Sequence, residues 1–297
     1  RRPTRSTLFP YTTLFRSCDE NDSALVYLKK ALTLLANADN EELKGRVLNN
    51  IGTAFENLGE PDSAKFYLKK AILAYQKSNN NKLLSGTYNN LGIIEKQAGN
   101  FDRASQHFEA SIELCKKHNI RTELANAINN LGTVKQSQGK LTEAFTLFQN
   151  ALNIRQEQND IYGMGNTLNN IGFIYKYWGN YQKACEYFEK TSEISLQHGF
   201  TTSWANAQYH LGNIYREWHK NNMAYSHLQR ALETFDSLKL IVNKANALNS
   251  LGNLYFDQGI NEKAKNFYGE ALKIQQKAND LERSEERRVG KECRSRW

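Results

Sequence analysis

The residues of this sequence best placed to do chemistry are asparagines at matched sites. Asn50, Asn90, Asn130 and Asn170 recur at intervals of forty residues, and Asn126, Asn166, Asn206 and Asn246 recur at the same interval four residues ahead of that register. A carboxamide carries donor and acceptor on one short arm and does not titrate, so a row of them suits hydrogen bonding to a peptide main chain rather than proton transfer. Inside a helix asparagine costs about half a kcal/mol against alanine, so its repetition calls for a compensating role. The sequence has no phosphate loop, H-E-x-x-H pair, Gly-x-Ser-x-Gly elbow or paired-carboxylate motif. Gly139-Lys140-Leu141-Thr142 lacks the upstream glycine of a phosphate loop. Of the four cysteines, Cys293 lies in a C-terminal segment expected to be foreign; the remaining Cys18, Cys115 and Cys185 are odd in number and have no C-x-x-C spacing, which disfavours both a disulfide framework and a zinc site. Cys115 and Cys185 are expected to be buried apolar residues of a reducing, cytoplasmic compartment. The histidines are scattered, and the expectation is of a chain that is not an enzyme and needs no metal or cofactor.

The elements that must position these asparagines follow from the period of forty. Gly52, Gly92, Gly132, Gly172, Gly212 and Gly252 keep it without exception, as do Ala64, Ala104, Ala144, Ala184, Ala224 and Ala264. Each unit holds two helical patterns: Leu48, Ile51, Gly52 and Phe55 define one apolar face, and Ala64, Leu68, Ala71 and Ile72 define another. Between them stands a glycine (Gly59, Gly99, Gly139, Gly179, Gly259) suited to a left-handed helix end, with His219 the one departure and a distorted turn expected there. Asn100 and Asn180 are expected helix caps, and Pro61 fits a first helical turn. The small residues Gly52 and Ala64 should let paired helices approach closely. Such a pair cannot bury its faces alone, so neighbours must stack. The expectation is an all-α solenoid of six full helix pairs preceded by one leading helix, with units at about 43–82, 83–122, 123–162, 163–202, 203–242 and 243–282 and a half-unit at 19–37.

The order of residues resembles the tetratricopeptide repeat family in a forty-residue form. Leu131-Gly132, Gly139, Ala144, Phe148 and Ala151 match its signature positions, and Phe55, Tyr175, Tyr215 and Tyr255 supply its usual aromatic, which is Glu95 and Lys135 elsewhere. The resemblance implies a right-handed α-α superhelix in which the first helix of each pair lines the inner surface. At about 100° per residue, Arg46, Asn50, Thr53 and Asn57 then lie opposite the apolar face. Carried through the units, that stripe brings Gly86, Asn90, Asn126, Asn130, Asn166, Asn170, Phe173, Tyr177, Asn206, His210, Asn213 and Asn246 to the groove. Peptide-binding members that the chain resembles, such as kinesin light chain and the spindle-orientation adaptors, use inner-helix asparagines on the ligand backbone; Asn50, Asn90, Asn130 and Asn170 are the matching positions, and His210 and Ser250 depart. Asn49, Asn89, Asn129, Asn169 and Asn249 lie nearer the seam between units, where stacking is the expected role. Phe173, Tyr177, Tyr209 and His210, with Trp178, Trp204 and Trp218 nearby, are expected to form a pocket for one apolar ligand side chain.

Composition bounds the partner. The formal charge of +8 comes largely from the ends. Residues 3–17 and 283–297 can be encoded by reverse-complementary codons, and the second resembles a translated sequencing adapter, so residues 1–17 and 283–297 are expected to be foreign tails. Without them the net charge is +1, too little to draw a nucleic-acid backbone. No apolar run reaches the ~18 residues of a membrane span. A protein or peptide partner is therefore expected, with no nucleic acid and no membrane. The alternative is the sensor or regulatory arm of a longer bacterial signalling protein, such as a histidine kinase or transcription regulator. A peptide-regulated phosphatase would need a further helical bundle ahead of the repeats.

Overall fold

The computed structural model describes residues 24–35 and 40–277. The expected tails at 1–17 and 283–297, Cys18 and parts of the leading half-unit fall outside those residues. All regular structure among the described residues is helical, and the chain divides into two compact units that part between Trp178 and Gly179. The first contains α1 (24–34), α2 (Glu41–Asn57), α3 (Pro61–Lys77), α4 (Asn81–Gln97), α5 (Phe101–Lys117), α6 (Arg121–Ser137), α7 (Leu141–Glu157) and α8 (Ile161–Tyr177). The second contains α9 (Tyr181–Gln197), α10 (Thr201–Glu217), α11 (Asn221–Ser237), α12 (Ile241–Asp257) and α13 (261–277). The division thus falls inside the fourth forty-residue period, between its two helices.

Identical turns keep every helix from α2 to α12 at 17 residues. After α2, Gly59 takes φ +73°, its N–H donates to the Glu56 carbonyl, and the Glu60 N–H reaches back to the Phe55 carbonyl. This closes the orphan carbonyls of the helix end. His219 adopts φ 58° in the same turn, with His219 N–H to the Arg216 carbonyl and Lys220 N–H to the Tyr215 carbonyl. The expected distortion is absent: the hydrogen-bond pattern forces the left-handed conformation on whichever residue stands there. The turns between periods use the same device with Asn79, Asn119 and Asn159 at φ 53° and Lys239 at φ 56°. Asparagine tolerates this region; lysine has no local hydrogen bond to compensate. Lys239→Gly should therefore stabilise the chain by about 0.5 kcal/mol, the relief of strain exceeding glycine's entropy cost. A lower denaturation midpoint for that variant would contradict it.

Caps divide along chemistry. Asn40, Asn80, Asp160 and Asn180 accept from the backbone N–H three residues on. Asn100, expected to do the same, instead donates to Glu95 Oε2 at 2.7 Å and makes no side-chain cap. The buried Glu95 carboxylate is the stronger acceptor and takes the amide.

Within a pair, the small residues do more than thin the interface. A Cβ placed on Gly52, Gly92, Gly132, Gly212 or Gly252 would lie 2.6–2.7 Å from Leu68, Phe108, Phe148, Leu228 or Tyr268. Each glycine is a socket for one large side chain of the second helix, and Leu68, Phe108, Phe148 and Leu228 are completely buried. In the first unit α2, α4, α6 and α8 also touch in succession, so the first helices of consecutive pairs form a continuous wall.

Candidate functional site

On that wall the asparagines are not equivalent. Asn50 and Asn166 are exposed, and their side chains have no hydrogen-bond partner among the described residues, whereas Asn90, Asn130 and Asn170 are half-buried. Asn90 Nδ2 donates to Asn49 Oδ1 (3.4 Å), Asn130 Nδ2 to Asn89 Oδ1 (3.0 Å) and Asn170 Nδ2 to Asn129 Oδ1 (3.0 Å). Thr87 and Thr167 hydroxyls add to two of these joints, donating to Asn49 Oδ1 at 3.2 Å and to Asn129 Oδ1 at 3.3 Å. The expectation that Asn90, Asn130 and Asn170 offer both ends of the carboxamide to a ligand needs correction. Their amino groups are already engaged with the preceding helix of the wall, and only their oxygens have no partner among the described residues. Asn49, Asn89 and Asn129 are the seam residues, as their position suggested.

One turn earlier the polarity reverses. Asn126 is exposed, and its Oδ1 accepts from Arg155 Nη2 at 2.8 Å, which leaves its amino group as the end without a partner among the described residues. Arg155 is 4% exposed, binds the Gly163 carbonyl, donates from Nη1 to Thr167 Oγ1 (2.5 Å) and lies 3.6 Å from the Asp160 carboxylate. Burial pushes its pKa down and Asp160 opposes that shift. A guanidinium remains charged regardless. Sequence reading missed this residue. The available signal was a charged side chain at a register occupied elsewhere by Tyr75, Cys115, Ser195 and Phe235.

Between α2, α4 and α6 the wall opens into a cavity of about 250 Å³, lined by Tyr75, Lys82, Gly86, Asn90, Glu123 and Asn126 among others. Lys82 Nζ and Glu123 Oε1 stand 3.6 Å apart, so the rim carries both signs of charge. Tyr75 is 2% exposed, and burial raises its pKa to about 12, leaving a neutral phenol at the base. Gly86 is the odd element. It sits in mid-helix, where glycine costs about 1 kcal/mol against alanine, yet a Cβ there would meet nothing within 4 Å. No contact among the described residues explains it.

The remaining candidates separate by unit. On α8, Phe173 is half-buried and Tyr177 is 60% exposed. On α10, Asn206 Oδ1 accepts from Asn243 Nδ2 (3.2 Å) and Asn213 Nδ2 donates to its own helix at the Tyr209 carbonyl (3.0 Å). Asn213 is therefore a poor ligand donor, because one amino hydrogen is held locally. Tyr209 takes a seam role in place of the groove role expected of it. Its hydroxyl accepts from Ser250 at 3.4 Å, the positions where earlier periods pair two asparagines, and its ring contacts Phe235 and His210. His210 also packs against Phe188, with ring centroids 5.3 Å apart. Asn246 on α12 is exposed. Trp204 packs into the cluster of Ala205, Ala231, Phe235 and Ala247, and Trp178 stands against Phe145 and Tyr175.

Titrating groups add little reactive chemistry. Cys115 and Cys185 are buried, and burial pushes the Cys185 thiol up to about 11. No group of three or more His, Cys, Asp or Glu residues among the described residues is arranged to hold a metal, and no described helix is long and apolar enough to cross a membrane. His107 and His227 are both shifted below 6.5, chiefly by burial; His227 Nδ1 is 2.8 Å from Gln208 Oε1 and its ring stacks on Tyr215. A histidine with a depressed folded pKa contributes fully above its unfolded pKa, and that contribution is lost as pH falls. The denaturation midpoint should drop from about pH 7.5 to about pH 5.5, and a His107→Gln, His227→Gln double variant should be flatter over that window. Parallel pH profiles would refute this.

Models of the tetratricopeptide repeat match residues 45–78, 84–119, 123–197 and 205–277. No curated protein sequence matches significantly. Among solved structures, the apo form of RapI is 16% identical over 91% of this chain and 99% of its own, with a TM-score of 0.71. Aspartyl phosphate phosphatase F from Bacillus subtilis is 16% identical over 88% of this chain and 68% of its own, at 0.69. The Rap conjugation gene regulator of the plasmid pLS20, in complex with the Phr* peptide, is 17% identical over 89% of this chain and 71% of its own, at 0.65. At these identities the likeness is one of fold.

Proposed function

Since the chain belongs to the tetratricopeptide repeat family, we propose that it is an interaction scaffold that binds an extended peptide on the wall of first helices, centred in the first unit on the cavity between α2, α4 and α6. The observation that carries this reading is Gly86. A mid-helix glycine with open space before it costs stability and yields no internal contact, but it allows another main chain to lie close against the helix. Around it stand groups suited to a main chain: the amino end of Asn126, the oxygen of Asn90, and the mixed charges of Lys82 and Glu123. A seam bond holds Asn90 and Arg155 holds Asn126 before a ligand arrives, so less side-chain freedom is lost on binding. The pLS20 regulator, similar to this chain in fold, is a complex with a peptide.

The test is a random-peptide display selection on the full chain, followed by calorimetry with the recovered peptide. Binding should lose less than about tenfold from roughly 50 to 500 mM salt, because the rim is charge-balanced. It should also disappear when the cavity is filled at Gly86. A peptide indifferent to that change, or a steep salt dependence, contradicts the reading.

A further inference from the structure

The direction of the amides on the wall is not left to chance. An isolated carboxamide can turn by half a rotation and exchange its donor for its acceptor. Arg155 removes that freedom at Asn126, since a guanidinium has five N–H donors and no acceptor; the atom facing it must be Oδ1, and it is, at 2.8 Å. The same guanidinium acts at a second place through a hydroxyl. Arg155 Nη1 donates to Thr167 Oγ1 at 2.5 Å, so the hydroxyl turns its own hydrogen away from the arginine. That hydrogen is shared between the Gly163 carbonyl at 3.1 Å, which also accepts from Nη1, and Asn129 Oδ1 at 3.3 Å. With Oδ1 of Asn129 directed to that joint, Asn170 meets it with Nδ2 at 3.0 Å and keeps its own oxygen unpaired.

We infer that Arg155 is a positioning residue that fixes the hydrogen-bond polarity of the wall at two places, leaving the amino group of Asn126 to meet a peptide carbonyl and the oxygen of Asn170 to meet a peptide N–H. The inference rests on the peptide-binding reading above and adds to it which main-chain group is read at each position. It also accounts for a buried cation in a register that is otherwise uncharged. Asp160 balances the charge, while the three hydrogen-bonded acceptors, Asn126, Thr167 and Gly163, give it direction.

The experiment uses the peptide recovered by display on the full chain, resynthesised with single backbone amides replaced by esters, which removes one N–H at a time. In the wild type one replacement should cost about fivefold in affinity, and Asn170→Ala should cancel that cost. In Arg155→Met and in Thr167→Val the same cost should fall below about twofold, because a released carboxamide can offer its donor to the ester oxygen. Arg155→Lys, which keeps a cation that can only donate, should retain the cost. Circular dichroism and the denaturation midpoint report whether each variant folds. Thr167→Val is nearly isosteric and decides the matter if Arg155→Met does not fold. An ester cost that persists in the folded variants, or a wild type with no cost that depends on Asn170, overturns the inference. The peptide-binding reading fails separately, if no recovered peptide is sensitive to filling the cavity at Gly86.

Discussion

Gly86→Phe will eliminate peptide capture while leaving the chain at least as stable as before. Glycine in a helix interior is about 1 kcal/mol less favourable than alanine, and phenylalanine recovers roughly half of that. Nothing in the fold opposes the new side chain, since a Cβ at this position has no neighbour within 4 Å. Its ring must then occupy the cavity of about 250 Å³ beside Asn90 and Asn126. A main chain that needs to lie against the helix is held off by several ångströms, beyond hydrogen-bond reach of either carboxamide. Gly86→Ala is the informative intermediate: it should gain close to the full 1 kcal/mol in stability and weaken the display-selected peptide only partly. Calorimetry with that peptide and denaturation of the two variants give both readouts. Undiminished affinity in Gly86→Phe would remove Gly86 and this cavity from the binding surface.

Gly132→Val will have the opposite sign in stability, although it too replaces a mid-helix glycine. Here an added Cβ lies 2.6 Å from Cε1 and 2.8 Å from Cδ1 of Phe148, a ring with no exposure and no room to retreat. Overpacking a filled core costs about 1–3 kcal/mol for a few added atoms, and a β-branched side chain adds two more at the tightest point. Against this the gain in helix propensity is below 1 kcal/mol. The net loss should be about 2 kcal/mol, with Gly132→Ala smaller but in the same direction. Urea denaturation of Gly86→Ala and Gly132→Ala side by side makes the comparison sharp. Midpoints that move together would mean that backbone propensity, not the socket around Phe148, governs this glycine.

That contrast marks what is local in this protein and what is not. Gly86 and Gly132 both stand in first helices. Only Gly132 belongs to the invariant period, and the spacing of Gly52, Gly92, Gly132, Gly212 and Gly252 was enough to anticipate close pairing of helices. The left-handed turn at His219 is not legible from residue type, because the hydrogen bonds that the flanking helices impose on the turn outweigh it. Asn79, Asn119 and Asn159 give the second turn a readable signal, since asparagine is the side chain other than glycine that most readily takes positive φ.

By itself the sequence determined the helix pairs, their length, their order and the face on which the asparagines stand. These depend on periods of three to four residues and on turn chemistry, all within one helix or one turn. Only tertiary structure decided which end of each asparagine is engaged, that Tyr209 and Ser250 replace an asparagine pair, and that Arg155 lies buried behind Asn126. The seam bonds join residues 38 to 41 apart, and the Arg155 bonds reach 29 residues back and 12 forward. A carboxamide has two nearly isosteric ends, so its orientation is set by the donors and acceptors that packing brings against it, and those come from other helices.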